Sequence, residues 1–224
     1  MKTQIIHEDQ HILVCHKPAG IAVQSANIAQ QDMVSELKNY LKKDKKDPYL
    51  GIVHRLDQPV SGIVVFAKNS KSAASLSAQI QDGRAKKIYR ALVWGSFNEE
   101  EKSGTLEHLL YKDGKTNLSR AVEATAPEVK AAKKAKLNYR IIKEIEIDGE
   151  VCTEVEIELF TGRHHQIRVQ AWIFFLKLYV RKLRKVFCQG IFYLFRNDSI
   201  NRQELPNICK KCWLHLSGSI PLFP

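Results

Sequence analysis

In the stretch GIVHRLDQPVSGIVVFAKN (residues 51–69), three titratable or charged side chains, His54, Arg55 and Asp57, lie between two apolar segments. An apolar triplet precedes His54, and residues 62–67 are apolar throughout, as in short buried strands. Between these segments lie Arg55 and Asp57. A carboxylate beside an arginine in apolar surroundings stays ionised, which suits a nucleophile or a base. Local sequence leaves a second interpretation open, because Asp57 opens a common turn pattern.

Outward from this stretch, the chain alternates predicted strands with two predicted helices. The first helix spans residues 32–43, and the second follows an Asn69 cap and ends at Gly83. Residues 112–136 are polar and irregular, without a predicted element. Many strands with two interspersed helices indicate an α+β domain. The predicted strands comprise two in residues 4–24 joined by a turn at 18–20, one at 86–94, and a hairpin of 137–146 with 151–160 around Asp148-Gly149.

Composition favours a polyanionic partner in a reducing compartment. The 224 residues carry a formal net charge of +11, and a basic surface gains free energy by displacing counterions from phosphates. The N-terminus has no apolar segment typical of a signal peptide, and no apolar run is long enough to cross a membrane. Five cysteines without a paired framework suit the cytoplasm. We therefore expect a cytoplasmic protein that binds nucleic acid and does not enter membranes.

A second polar cluster, GRHHQIR, follows the predicted strand that ends near residue 160. Arg163, His165 and Arg168 provide cations there, and Tyr89 lies on another predicted strand. Taken alone, the cluster fits a basic surface patch, and a single tyrosine in a strand fits the core. Together with Asp57, these residues provide phosphate contacts and one reactive carboxylate, a combination suited to chemistry on RNA.

The chain changes character near residue 170. Residues 171–224 contain 10 of the 19 aromatic residues but only two acidic residues against nine basic ones. The apolar residues of this tail recur with neither the period of a strand nor the period of a helix. We therefore expect residues 171–224 to be an atypical tail, translated in a shifted reading frame, after an incomplete catalytic domain at 1–170.

The sequence resembles the RluA-type pseudouridine synthases. The resemblance rests on HILVCHKPAGIAV, VHRLDQPVSGIVVFAKN, KKIYRALVWG and LFTGRHHQIRVQ, which occur in the order and spacing of that family. It covers roughly residues 4–170. The resemblance implies the α+β fold of a pseudouridine synthase catalytic domain, with a mostly antiparallel mixed sheet and flanking helices. Past residue 170 the family's next helix and closing strands are not recognisable in this sequence.

The resemblance also implies roles for single residues. Asp57 matches the catalytic aspartate, which attacks the target uridine so that the base detaches, turns and rejoins through C5. Arg55 matches the arginine that fills the gap left by the flipped nucleotide. Tyr89 matches the tyrosine that packs on the uracil, and Arg168 matches the basic residue that pairs with the aspartate. The remaining residues expected to bind RNA are Lys17, His54, Arg163 and His165.

The expected function is isomerisation of specific uridines in ribosomal or transfer RNA. Breaking and remaking a glycosidic bond needs no redox step, so we expect no metal and no organic cofactor. RNA is the expected partner, and the expected oligomeric state is a monomer. The alternative from another class is a catalytically dead, truncated relative that only binds RNA.

Three further interpretations remain weaker. His54, Asp57 and the two adjacent histidines of GRHH offer metal-ligand types, but neighbouring strand residues cannot easily reach one ion. Cys209 and Cys212, with His215, have the spacing of half a zinc site, without a second CxxC pair. The basic aromatic run at 172–184 has the composition of a membrane-surface helix. The last two are better explained by chance, because they fall in the atypical tail.

Overall fold

The computed structural model describes residues 3–27, 30–42, 46–147 and 150–176 and the strand 187–193. The chain divides into two compact units. The first contains the described residues up to Lys86 together with the strand segment from Gln189, and the second begins at Lys87 and extends to Cys188. None of the helices in the described residues is long and apolar enough to cross a membrane.

The first unit is a mixed sheet with two helices. Its strand order is β1-β2-β4-β10, and β3 pairs with β4 on the edge opposite β2. All of these pairs are antiparallel except β10 with β4, which is parallel. The elements are β1 (Gln4–Glu8), β2 (Ile12–Lys17), α1 (Met33–Leu41), β3 (Gly51–Ile52), β4 (Ser61–Ala67), α2 (Ser70–Gln81) and β10 (Phe187–Tyr193).

The two central strands of this unit are buried on both faces. In β2 and β4, Val14 and Val65 pack toward α2 with Leu76, whereas Leu13 and Phe66 point to the opposite face and are equally buried. A strand that is buried on both faces is apolar throughout, which explains the unbroken apolar run after the HRLD segment. The strand that follows the HRLD segment is therefore part of the core of this unit.

The first hairpin turns at a different place from the prediction. The predicted turn at 18–20 follows the second strand instead of joining the two strands. The β1–β2 turn is made by Asp9, whose Oδ1 accepts the backbone N–H groups of His11 and Ile12 at 2.6 and 2.7 Å. This Asx-type turn completes the hairpin six residues before Pro18.

Both predicted helices of the first unit are present. Asp32 caps α1 by accepting the N–H of Ser35 at 2.8 Å. Asn69 caps α2 in the same way through Ser72, also at 2.8 Å, and Gly83 follows the helix with φ +77°. Asn69 and Gly83 therefore predicted the boundaries of α2 correctly, whereas α1 ends two residues before the predicted limit at 43.

The second unit is an antiparallel sheet with one helix. Its strand order is β5-β9-β8-β6-β7, with every pair antiparallel. The 112–136 excursion is more regular than predicted, because it contains β7 and a short 3-10 helix, Pro127–Ala131. The Asp148-Gly149 turn lies outside the described residues. The elements are β5 (Lys86–Trp94), β6 (Ser103–Lys112), β7 (Ser119–Val122), β8 (Lys133–Ile147), β9 (Glu150–Leu159) and α3 (Gln166–Leu176).

Helix α3 covers the apolar face of this second sheet. Ile167 and Ala171, one turn apart, are buried against a core that includes Val155 and Ile157. Phe174 continues the same stripe and lies against the Tyr139 ring, with 4.8 Å between ring centroids. The sequence predicted no helix past residue 170, and α3 continues to Leu176. The rest of the tail, 177–186 and 194–224, lies outside the described residues.

The packing of Phe174 predicts a measurable contribution to stability. Phe174 also stacks on Phe97 at 6.3 Å, so replacing it by alanine removes two ring contacts. Because the ring is only partly buried, we expect Phe174→Ala to lower the free energy of unfolding by about 2 kcal/mol. Phe160→Ala is the matched control, since Phe160 is half exposed. Equal denaturation midpoints for the two variants would contradict this packing.

Candidate active site

The HRLD segment joins β3 to β4 and carries its side chains in different environments. His54 lies inward, and its Nε2 accepts the backbone N–H of Val65 at 3.0 Å. Leu56 is buried, whereas Arg55 and Asp57 are exposed. The segment is therefore anchored at His54 and Leu56 and presents the two charged side chains to solvent.

A second segment, KPAG, holds the backbone that follows Asp57. The carbonyl of Asp57 accepts the N–H of Val60 at 3.0 Å, so residues 57–60 form a turn. Gly20 donates its N–H to the Gln58 carbonyl at 2.8 Å, and Gln58 Nε2 donates back to the Gly20 carbonyl at 3.0 Å. Gly20 has φ +89°, which favours glycine at this contact.

Lys17 is placed differently from the expectation that it binds RNA. Its side chain is fully buried. Its Nζ donates to the carbonyls of Pro18, Gln58 and Val60 at 3.1, 2.9 and 2.6 Å. An ammonium group that is inaccessible to solvent cannot contact a phosphate in this conformation. Lys17 instead fixes the turn that begins at Asp57.

The buried ammonium also affects the charge balance of this turn. Burial lowers the pKa of Lys17 to about 8, because the charged form loses its hydration, and the Asp57 carboxylate partly offsets this effect. Lys17 is therefore still mostly charged at neutral pH. The Lys17 ammonium and the Asp57 carboxylate therefore interact electrostatically at this turn.

Tyr89 lies in β5, in the second unit. It is opposite Ile157 of β9 in the strand register and faces the same side as Ala91. The ring is half-buried and packs against the core of this unit. Tyr89 is therefore at the edge of the core, with part of the ring accessible.

Gln166 organises the GRHHQIR segment, which sequence reasoning did not foresee. Its buried Oε1 accepts the Thr161 hydroxyl at 2.8 Å and the Arg163 N–H at 3.0 Å, and its Nε2 donates to the Lys136 carbonyl at 3.1 Å. Gln166 begins α3, with Gln170 one turn later. The helical spacing of these two buried glutamines with Ile167 was the available signal.

The cations of this segment lie around the start of α3. Arg163 donates from Nε to the Lys134 carbonyl at 2.9 Å and is otherwise exposed. Burial, followed by the charge of Arg163, lowers the pKa of Lys87. His165 has φ +54°, and its ring lies 3.8 Å from that of His164. This part of the second unit is strongly basic.

The predicted site residues belong to two different units. Lys17, His54, Arg55 and Asp57 are in the first, and Tyr89, Arg163, His165 and Arg168 are in the second. Arg168 is exposed in the first turn of α3. The pairing of Arg168 with Asp57 stays a prediction. Within the described residues, no three His, Cys, Asp or Glu side chains are grouped as metal ligands.

Comparison with known proteins gives a consistent family. The family model described as RNA pseudouridylate synthase matches residues 11–171. The chain is 34% identical over 171 residues to the ribosomal large subunit pseudouridine synthase D of Pseudomonas aeruginosa, covering 75% of this chain and 49% of that protein. It is also 34% identical over 170 residues to the dual-specificity RNA pseudouridine synthase RluA of Vibrio parahaemolyticus, covering 75% of this chain and 63% of that protein.

Among solved structures, human RNA pseudouridylate synthase domain containing 1 has the same fold, with a TM-score of 0.66 at 16% identity over 94% of this chain and 87% of that chain. The α+β fold with a mostly antiparallel mixed sheet is thereby confirmed. The chain spans about half to two-thirds of the length of the curated relatives it matches. The chain thus belongs to the RNA pseudouridylate synthase family, in its RluA-type branch.

Proposed function

We propose that this chain is an RNA pseudouridine synthase that isomerises uridines in ribosomal or transfer RNA. One observation carries the proposal: Asp57 is exposed at the start of a turn whose backbone is fixed by the buried Lys17. A nucleophile must be held at a defined position relative to the atom that it attacks. The family membership and the named relatives support the same activity.

In the proposed reaction, Asp57 attacks the target nucleotide and the C1′–N1 bond of uridine breaks. The base turns, the C1′–C5 bond forms, the proton at C5 leaves, and N1 takes up a proton. The carboxylate is released unchanged, so the reaction is an isomerisation with no oxidant or reductant. Tyr89 packs on the uracil and assists removal of the C5 proton, and Arg168 pairs with Asp57.

Arg55 acts on the RNA rather than on the bond that breaks. Flipping a base out of its stack costs a few kcal/mol. Arg55 is exposed two residues before Asp57, so it can occupy the vacated place while the carboxylate reaches the flipped nucleotide. Arg163 and His165 contact the RNA backbone, whereas His54 and Lys17 position the loop. This enzyme works in the cytoplasm as a monomer, without metal or organic cofactor.

The experiment that tests this function maps pseudouridine in RNA. Unmodified transcripts of ribosomal and transfer RNA are incubated with the protein, treated with carbodiimide, and read by reverse transcription. New stops at single uridines are expected. RNA that is bound but shows no new stop would contradict the enzyme and support the relative that only binds RNA.

We also propose that residues 171–224 derive from a shifted reading frame. The change of composition at residue 171 and the end of the family match at the same residue support this. Translating the coding DNA in the other two frames tests it. A family-like continuation in one of them is expected, and the lack of any such continuation would contradict the proposal.

A further inference from the structure

The turn of the β6–β7 hairpin in the second unit carries an apolar side chain that is exposed to solvent. Leu118 is 66% exposed, the highest value among the large apolar side chains that the structure describes. It is not part of the core cluster of this unit. Exposing such a side chain has a hydration cost, which contact with a partner would remove.

The turn that carries Leu118 has a fixed backbone. The N–H of Asp113 donates to the Leu118 carbonyl at 2.9 Å, which closes the loop. The Asp113 carboxylate accepts the N–H groups of Lys115 and Thr116 at 2.8 and 3.4 Å. The backbone of Asn117 adopts the left-handed conformation, with φ +55°. The leucine is therefore presented by an ordered turn.

Lysines surround this turn. Lys112 precedes the turn and Lys115 lies within it. Lys133 of β8 pairs with Leu110, so that it shares a sheet face with Lys112. All three are exposed, and in the described part of the chain none of them forms an ion pair. We call Lys112, Lys115, Lys133 and Leu118 the hairpin patch.

Two acidic groups of this region are engaged within the protein. Asp113 holds the turn, and Glu128 pairs with Arg120. The hairpin patch therefore has the charge of a surface that binds a polyanion. A protein partner would instead need an acidic surface with an apolar pocket.

The hairpin patch adjoins the segment that we expect to bind RNA. Ser119, the first residue of β7, contacts His164 with 2.8 Å between Oγ and Nδ1. Ser119 pairs with Lys112 in the register of the hairpin. One RNA can therefore contact Arg163, His165 and the hairpin without leaving the second unit.

From these observations we propose that the β6–β7 hairpin is a second RNA-binding element. Its lysines contact phosphates, and Leu118 inserts between bases of a structured RNA and opens their stack. Apolar side chains in other nucleic-acid-binding proteins act as such wedges. The proposal rests on the proposed function only in its choice of RNA as the substrate.

The test measures RNA binding by fluorescence anisotropy. The probes are a fluorescein-labelled stem-loop RNA with a uridine-rich loop and an unstructured uridine oligomer. The variants are Leu118→Ala and the triple replacement of Lys112, Lys115 and Lys133 by glutamine. Val151→Ala is the control for an exposed apolar residue of the same unit, 46% exposed. The charge control replaces three exposed lysines of the first unit by glutamine, namely Lys38, Lys46 and Lys71.

The expected results separate the two parts of the patch. Neutralising three phosphate contacts makes the slope of log K against log salt less steep, by about 3 for the stem-loop and by about 2 for the unstructured oligomer. Leu118→Ala weakens stem-loop binding about fivefold and leaves the unstructured oligomer unchanged, because that oligomer has no stack to open. The controls behave like the wild type. Thermal melting confirms that each variant is folded.

Two outcomes would overturn this proposal. One is stem-loop binding by both hairpin variants that equals wild-type binding at every salt concentration. The other is a change only in self-association, which would make the hairpin a protein contact. If the wild type forms pseudouridine and the hairpin variants bind RNA as the wild type does, only the proposal for the hairpin is refuted. RNA binding that depends on the hairpin without any pseudouridine refutes the proposed function alone.

Discussion

Asp57→Asn is expected to abolish pseudouridine formation while RNA binding stays within about twofold of the wild type. The substitution keeps the size of the side chain and removes the nucleophilic carboxylate. Loss of a nucleophile lowers turnover by several orders of magnitude, on the order of 10⁴-fold or more. Asp57 is exposed on its turn, and its carbonyl, which the substitution keeps, makes the bond to Val60.

Single-turnover kinetics with excess protein measures this effect separately from binding. The matched control is Asp47→Asn, an exposed aspartate of the same unit in the segment before β3. It should react like the wild type. An Asp57→Asn protein that forms pseudouridine at a comparable rate would contradict the assignment of the nucleophile.

Lys17→Met is expected to have the second largest effect, on both stability and rate. Methionine fills a similar volume but leaves the carbonyls of Pro18, Gln58 and Val60 without this donor. Buried acceptors without a donor lower the stability, and removal of the buried charge offsets part of this loss. We expect the free energy of unfolding to fall by about 2 kcal/mol in total. The turn at Asp57 loses its support, and a displacement of about 1 Å lowers the rate about 100-fold.

Chemical denaturation and single-turnover rates measure the two effects. Lys71→Met, an exposed lysine of α2, is the control and should change neither. A Lys17→Met protein with the wild-type rate would show that the turn does not need this ammonium. A large loss of RNA affinity at an unchanged rate would instead restore the original expectation that Lys17 binds RNA.

The lowered pKa of Lys17 predicts opposite pH trends for stability and rate. Between about pH 8 and the ordinary value of 10.5, the unfolded lysine binds a proton that the folded one has released. The free energy of unfolding therefore rises with pH in this window, relative to Lys17→Met, by up to about 3 kcal/mol. The wild-type rate falls above about pH 8, because the carboxylate loses its cation. Denaturation midpoints and rates of both proteins across this window measure the trends; parallel curves would contradict them.

The local sequence predicted those elements whose ends are set by single residues. Asn69 and Gly83 marked the limits of α2, because a side-chain cap and a left-handed glycine act locally. The apolar run after HRLD likewise predicted a buried strand. In contrast, the polar region at 112–136 concealed β7, a short strand at the edge of its sheet. Edge strands are often rich in lysine and short, so they lack the apolar alternation of central strands.

The sequence indicated which residues belong to the candidate site, but not which of their side chains are buried or exposed. Asp57 lies on an exposed turn, and its catalytic role stays a prediction. Lysine is almost always exposed, so sequence gave no reason to bury Lys17, whose place depends on carbonyls 41 and 43 residues away. The same holds for Gln166, which is buried because three polar groups surround it. Such roles depend on tertiary contacts that a sequence pattern does not contain.

The most direct test of the central claim is tritium release from RNA that carries 5-tritiated uridine. The C5 proton leaves only if the base rejoins the sugar through C5, so release reports the isomerisation itself. The intact chain is compared with Asp57→Asn on unmodified ribosomal and transfer RNA. The account predicts release by the intact chain and none by the variant. No release from the intact, folded chain, or equal release from both proteins, would contradict it.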